Sequence, residues 1–312
     1  MNNEKRIYLL GPTATGKTEL VSYLNSIFPI NIISVDSAQI YKNMNIGTAK
    51  PNQKDLIKTP HHLLNIRTPI ESYSVGNFKK DVDSILSKSI DSGKIAFLYG
   101  GTMMYFNSLE NPLDNLPIST LQTKKKVIDE FNKFGIEFLF NKLKDIDPVS
   151  ASKIHYKDIQ RIQRALEVYY ISGNKLSSFF MNKKKSCPSS RILKIALWPK
   201  NRGQLHRIIE ERVEHMLEKG LIEEVKGILA KYPALDDSYP SFRSVGYRQT
   251  YYYLKKQITK SELKDKIIFA TRQLAKRQIT WMRKMENLEI FDPFSNDLNL
   301  KVTTRIESFL AD

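Results

Sequence analysis

The chain has 312 residues, 41% hydrophobic and 26% charged, enough to bury a full core in one large domain or two smaller ones. Lys and Arg number 49 against 33 Asp and Glu, a net charge of +16; this fits either a Lys-rich solubilising surface or a polyanionic partner, nucleic acid or an anionic membrane surface. No stretch approaches the roughly 20 apolar residues that a membrane-spanning helix needs, and Cys187, the only cysteine, excludes an internal disulfide and a cysteine-built zinc cluster.

The first residues, Met1 to Arg6, lead directly into an apolar run and leave no room for a signal peptide, so a cytoplasmic protein is expected. The run Ile7-Tyr8-Leu9-Leu10 reads as a strand, and Glu19 to Phe28 as a helix. Between them stands Gly11-Pro12-Thr13-Ala14-Thr15-Gly16-Lys17-Thr18, a phosphate loop in its strand–loop–helix setting. Its glycines let backbone amides converge on a phosphate, and the helix N-terminus adds positive potential. Lys17 can reach a phosphate oxygen. The Thr18 hydroxyl can hold Mg2+ bridging two phosphates.

Ile30 to Val35, β-branched and ending at Asp36, reads as a buried parallel strand. His62 to Ile66, between Pro60 and Pro69, reads as a further short strand; the adjacent His61 and His62 would point to opposite faces and make a poor metal pair. Ser74 to Ser89 has helical spacing, and Ile95 to Tyr99 is a third clear strand, halting at Gly100-Gly101. Strands alternating with helices predict an α/β fold with a doubly wound parallel sheet of the P-loop NTPase type.

From about Asn111 the strand pattern stops. Helical segments follow as far as a polar, basic stretch, Met181 to Ser190, before Ile192 to Trp198 resumes the sheet. The expected organisation is therefore a core of residues 1–111 and 190–312 with a helical insertion domain at 112–189. Helices are then expected at Arg202–Lys219 (capped by Gly220), Leu221–Tyr232, Ser244–Lys255 and Lys260–Lys284. A last strand, Leu288–Phe291, precedes a terminal helix.

Ligands of open α/β sheets bind outside the carboxyl ends of the strands. The phosphate loop, Asp36 and Gly100-Gly101-Thr102 are thus expected around one crevice. Asp36 reads as a magnesium-associated acid, as a general base, or as a turn cap. The third strand ends in Gly-Gly, not in the acid that an ordinary ATPase places there.

Basic side chains recur further on. Arg272, Lys276 and Arg283 lie within roughly 40° on one helix, apart from an apolar stripe of Leu263, Ile267, Ala270, Leu274 and Trp281 expected to face the core. Gln160, Arg161 and Arg164 share a helix whose expected buried face is Ile159, Ile162, Leu166 and Tyr169. Arg243 to Arg248 places Tyr247 between arginines. On a chain of this charge, these three elements favour RNA or DNA.

Several longer blocks carry a family likeness. Ile33-Ser34-Val35-Asp36-Ser37-Ala38-Gln39-Ile40-Tyr41-Lys42 with Asn45 to Pro51, Gly100 to Phe106, Asp158 to Gly173, Ser244 to Gln249, and Ala270 to Trp281 together resemble the signature of bacterial tRNA dimethylallyltransferases. The resemblance implies transfer of a dimethylallyl group from dimethylallyl diphosphate to an exocyclic amine. That amine belongs to the adenosine 3′ of the anticodon in tRNAs reading codons that start with U. It implies a loop that holds the donor's diphosphate, Arg212 as a further cation, Asp36 as the base and Mg2+ as cofactor; nothing in the sequence demands an oligomer, and a monomer is expected.

Carried over by position, it implies tRNA contacts at Asp36-Ser37-Ala38-Gln39, Thr102, Lys124, Gln160-Arg161-Ile162-Gln163-Arg164, Arg243-Ser244-Val245-Gly246-Tyr247-Arg248 and Lys276-Arg277-Gln278-Ile279-Thr280-Trp281-Met282-Arg283. The chain departs from relatives at Lys124 and Ile208, where arginine is common. The readings held against this one are prenylation of free adenine nucleotides, a small-molecule P-loop kinase, and nucleic-acid binding without catalysis.

Overall fold

A computed structural model describes residues 5–91, 93–111, 116–117, 119–180 and 191–312; the basic stretch Met181 to Ser190, with Cys187, lies outside them. The chain divides into two compact units, Met1–Glu110 with Pro188–Asp312, and Asn111–Cys187.

The larger unit runs β1 (Lys5–Leu10), α1 (Lys17–Asn25), β2 (Ile30–Val35), α2 (Gln53–Lys58), β3 (His61–His62), α3 (Val75–Asp91), β4 (Ile95–Gly100) and α4 (Met103–Glu110). The smaller unit then contributes α5 (Leu121–Ile146), α6 (Pro148–Ala151), α7 (Ile159–Ser172) and a 3-10 turn at Leu176–Phe180. The larger unit resumes with β5 (Arg191–Leu197), α8 (Arg202–Glu218), α9 (Leu221–Lys231), α10 (Tyr247–Leu254), α11 (Lys260–Met282), β6 (Leu288–Phe291) and α12 (Leu298–Ala311).

The six strands form one parallel sheet in the order β3-β2-β4-β1-β5-β6. Parallel strands need helical crossovers, so both sheet faces are covered and the central strands are apolar throughout. Alternation divides them between two cores. Ile7, Leu9, Ile32, Phe97 and Ile195 pack beneath α1 and α12, and Tyr8, Leu10, Ile33, Leu98 and Ala196 beneath α3 and α4. A third core, formed by α8 to α11 with Ile40, Tyr41 and Met44 of the loop after β2, lies in the same unit. The doubly wound α/β expectation holds.

One local expectation changes, and two short helices are added. The strand placed at His62 to Ile66 is only His61–His62, because Leu63 (φ 64°) and Asn65 (φ 56°) turn into the left-handed region and break the extended backbone. Helix α2, started by the Asn52 side chain accepting from the Asp55 N–H, was concealed by its short length and lack of buried residues. Helix α4 follows the Gly100-Gly101 pair directly and buries Met103, Tyr105 and Phe106. Among the described residues no helix is long and apolar enough to cross a membrane.

The smaller unit has its own core, with Val127, Leu139, Leu143, Ile162 and Leu166 at its centre. Its long helix α5 is kinked at Gly135 (φ 79°, ψ 179°), a conformation open to glycine alone at little cost. On α7 the buried residues are Ile162, Ala165, Leu166 and Val168. Ile159, expected inside, is exposed because it occupies the first helical turn at the edge of the packing.

Candidate active site

The carboxyl ends of β1, β2 and β4 open on a cavity of about 1200 Å³. The phosphate loop borders it with Thr13 to Thr18. Gly16 caps α1 at φ 69° and supplies no side-chain acceptor, so the first amides of the helix stay available to an anion. The Lys17 ammonium donates to the carbonyls of Gly11 (3.0 Å) and Pro12 (2.6 Å). Burial, aided by the Arg212 guanidinium, lowers its pKa to about 7 against the opposing pull of Asp36 and Glu19. Arg212, on α8, also borders the cavity. Burial pushes its pKa down, Asp36 and Glu19 hold it up, and its guanidinium makes no hydrogen bond among the described residues.

Asp36 follows β2. Its Oδ1 accepts from the amides of Ala38 (2.8 Å) and Gln39 (3.2 Å), so it is a turn cap as well as a cavity-facing carboxylate; no hydrogen bond engages Oδ2 among the described residues. The Thr102 hydroxyl oxygen accepts from the Ser37 amide at 3.0 Å and fixes the adjacent turn.

The Gly-Gly end of β4 has a steric cause. A Cβ on Gly100 would lie 2.1 Å from the Val35 carbonyl oxygen, and one on Gly101 would lie 2.3 Å from the Gln278 side-chain nitrogen. Gln278, on α11, accepts from the Thr13 amide (2.9 Å) and donates to the Gly101 carbonyl (3.0 Å). It joins the phosphate loop to the loop after β4, through the place where an ATPase acid would stand.

The remaining walls are basic on one part and apolar on another. Lys50, Lys219, Arg243 and Arg277 bring cations; Met104, Leu274, Trp281 and Phe294 bring apolar surface. Lys50 donates to the Tyr41 carbonyl (2.8 Å) and to the side-chain oxygens of Asn65 (2.7 Å) and Asn45 (3.2 Å), and burial lowers its pKa to about 8. Lys50 and Phe294 were missed as site residues. Phe294 follows β6, so the rule that ligands gather at strand carboxyl ends was the available signal.

The expected apolar stripe on α11 divides. Leu263 and Ile267 are buried, but Leu274 and Trp281 turn towards the cavity and Ala270 is half-buried. The buried residues of the helix also include Ile268, Thr271, Ala275, Gln278, Ile279 and Met282, of which Thr271 and Gln278 border the cavity too. The helix has apolar residues on more than one side, so periodicity could not choose between core and cavity. Arg272 is ion-paired with Glu210 of α8.

Of the residues implied as tRNA contacts, Asp36, Ser37, Ala38, Thr102, Arg243, Ser244, Val245, Gly246, Arg277, Gln278 and Trp281 border the cavity. Lys276, Thr280 and Arg283 are exposed on or beside α11 without lining it. Arg248 donates to the Tyr252 hydroxyl at 3.0 Å.

Five of the residues implied as contacts are buried. Tyr247, Ile162 and Met282 have no exposed surface, and Ile279 is 9% exposed. Gln39 is 8% exposed, with its amide spent on the Thr48 carbonyl and the Ser34 hydroxyl. In this structure these side chains offer little or no surface to a partner; a motif preserves packing residues alongside contact residues.

In the smaller unit, Gln160, Arg161 and Arg164 border a separate cavity of about 490 Å³ with Lys153 and Phe180. Arg161 pairs with Asp158 at 3.4 Å, Arg164 donates to the Pro117 carbonyl at 2.9 Å and pairs with Glu167 at 3.6 Å, and Gln163 is half-buried. Lys124 is exposed on α5.

The pKa of Lys17 sets a linkage. Both states are protonated below about pH 7, so the fold there carries the full cost of the buried charge. Between about 7 and the unperturbed 10.5 the unfolded chain binds more protons, and stability rises with pH. Thermal melts of the parent and Lys17→Met should therefore converge, or cross in the parent's favour, between pH 7 and 10. A Tm difference independent of pH would contradict the buried charge.

The model of the family described as IPP transferase matches residues 39–285. The tRNA dimethylallyltransferase of Legionella pneumophila (strain Paris) is 44% identical over 302 residues, covering 97% of this chain and 96% of that protein. Among solved structures, the tRNA isopentenylpyrophosphate transferase of Bacillus halodurans is 31% identical with a TM-score of 0.70, covering 99% of this chain and 96% of that one. A eukaryotic dimethylallyltransferase described as acting on tRNA reaches a TM-score of 0.82 at 26% identity, covering 99% of this chain and 80% of that one. With the phosphate loop, Asp36 and the basic walls of one cavity, these matches place the chain in the IPP transferase family, whose relatives are tRNA dimethylallyltransferases.

Proposed function

We propose that this protein transfers a dimethylallyl group from dimethylallyl diphosphate to the exocyclic amine of the adenosine 3′ of the anticodon, in tRNAs reading codons that start with U. The observation that carries the reading is a single cavity in which a phosphate cradle with two partly buried cations faces the Asp36 carboxyl group. The diphosphate belongs on the loop amides, Lys17 and Arg212. The isoprenoid belongs against the apolar wall.

The allylic C–O bond breaks, and its electron pair leaves with the diphosphate. Loop amides, Lys17 and Arg212 stabilise that charge where it develops. The adenine amine forms the new C–N bond and gives its proton to Asp36 Oδ2. Its lone pair is delocalised into the ring, so orientation and proton removal at this carboxylate matter more than for an aliphatic amine. The base must leave its stack to reach Asp36.

The Thr18 hydroxyl is an oxygen donor that fits magnesium. No group of three or more carboxylate, imidazole or thiolate side chains gathers among the described residues, so the cation would take its other oxygens from diphosphate and water. When bound it would neutralise charge on the leaving group. Lys124, the α7 residues and the exposed cations Lys276, Arg277 and Arg283 are assigned to the tRNA. We assign a cytoplasmic monomer. Prenylation of free adenine nucleotides would leave the basic walls without a ligand, and a kinase would lack the acid displaced by Gly100-Gly101.

Labelled dimethylallyl diphosphate with magnesium, offered unmodified tRNA, AMP or no acceptor, should label tRNA alone; label on AMP and not on tRNA would overturn the reading. Asp36→Asn should lower kcat by about 10²- to 10⁴-fold with little change in donor affinity, whereas equal losses in both would give Asp36 a structural or metal role. Arg277→Ala should weaken tRNA binding and reduce the slope of log K against log salt by about 1; an unchanged slope would remove Arg277 from the RNA contacts.

A further inference from the structure

Glu224, on α9, lies outside the cavity lining and outside the motifs read from the sequence. Its carboxylate accepts from three successive backbone amides of the loop after β2: Asn45 (2.9 Å), Ile46 (2.9 and 3.1 Å) and Gly47 (3.4 Å). The hydroxyl of Tyr247 donates to it at 2.6 Å. Three neighbouring N–H groups pointing at one spot form a concavity for an anion. An acceptor-only group fills it without placing a hydrogen against a donor, which a carboxamide cannot do.

The same loop runs on to Asp36 through hydrogen bonds. The Thr48 carbonyl accepts from the Gln39 side chain at 3.2 Å, and the backbone N–H of Gln39 donates to Asp36 Oδ1 at 3.2 Å. Thr48 is tied back to the Met44 carbonyl at 2.7 Å. Glu224 therefore holds the stretch that holds Gln39, and Gln39 fixes one carboxylate oxygen of Asp36. The anchor is tightly enclosed: a Cβ on Gly47 would lie 2.5 Å from a Tyr247 ring atom.

We infer that Glu224, with Tyr247, is a positioning residue for the transfer reaction, fixing the 45–48 loop so that Asp36 presents Oδ2 to the acceptor amine. This rests on the reading of Asp36 as the base. The phosphate loop is reached by none of these bonds, so acceptor chemistry and diphosphate binding separate. Misplacement of a reacting group by about 1 Å can cost on the order of 10²-fold.

Glu224→Gln should lower kcat with tRNA by about 10- to 100-fold while the Kd for magnesium pyrophosphate stays within about twofold of the parent, since the cradle is untouched. Tyr247→Phe keeps the ring and removes one donor, and should show the same split at smaller amplitude. It decides the matter should Glu224→Gln not fold.

In an Asp36→Asn background, Glu224→Gln should cost nothing further, because its effect passes through Asp36. Losses that multiply in the double variant, pyrophosphate affinity that falls in parallel with kcat, or parental turnover in both single variants would overturn the assignment. Parental turnover in Asp36→Asn would remove the base reading itself, and the positioning role with it. Parental turnover in Glu224→Gln beside a crippled Asp36→Asn would remove the positioning role alone.

Discussion

Positive charge gathered in one partly buried place is the constraint on which this site depends. Lys17 and Arg212 face one cavity, and burial works against the charge of both. Their acidic neighbours Asp36 and Glu19 offset that cost in part. Such an arrangement costs folding free energy and is relieved by an incoming anion, whose interactions are stronger in a desolvated site than in bulk water. On the proposed reaction a diphosphate would answer the requirement twice, once in the ground state and more fully as charge accumulates on the leaving oxygen.

The parallel sheet explains why these groups meet. Three strand ends, β1, β2 and β4, open side by side, because the order β2-β4-β1 puts chain-distant loops next to one another. The loop after β1 supplies the cradle and the loop after β2 supplies the carboxylate. The loop after β4 supplies room, since its two glycines have Val35 and Gln278 where a side chain would stand. Gln278 reaches both the first and the third of these loops. A side chain at Gly100 would press on the backbone of Val35, and one at Gly101 would displace the Gln278 amide that links two of these loops.

Much of this was legible from local pattern. The phosphate loop depends on neighbours in sequence, and the central strands are continuous apolar runs, so both could be read without tertiary information. The α11 helix was harder. Its apolar residues serve two environments, and Leu274 and Trp281 went to the cavity wall, where the mostly buried polar Gln278 also stands. Resemblance to a motif also says that residues stay together without saying why. Tyr247 and Gln39 sit among cavity-lining neighbours, yet Tyr247 is buried against Glu224 and Gln39 is spent on Thr48.

The amino-acid sequence by itself determined the doubly wound fold, the phosphate loop with Lys17 and Thr18, and the presence of Asp36 at the end of a buried strand. Each rests on interactions within a few residues or on a repeating period. Only the tertiary structure decided which of the motif residues face the cavity, that Gln278 and not an acid closes the end of β4, and that Glu224 anchors the loop bearing on Asp36. The partners of Gln278 are Thr13 and Gly101, and those of Glu224 are Asn45 to Gly47 and Tyr247. Contacts across such separations leave no periodic trace, because they are made by packing and not by the local course of the backbone.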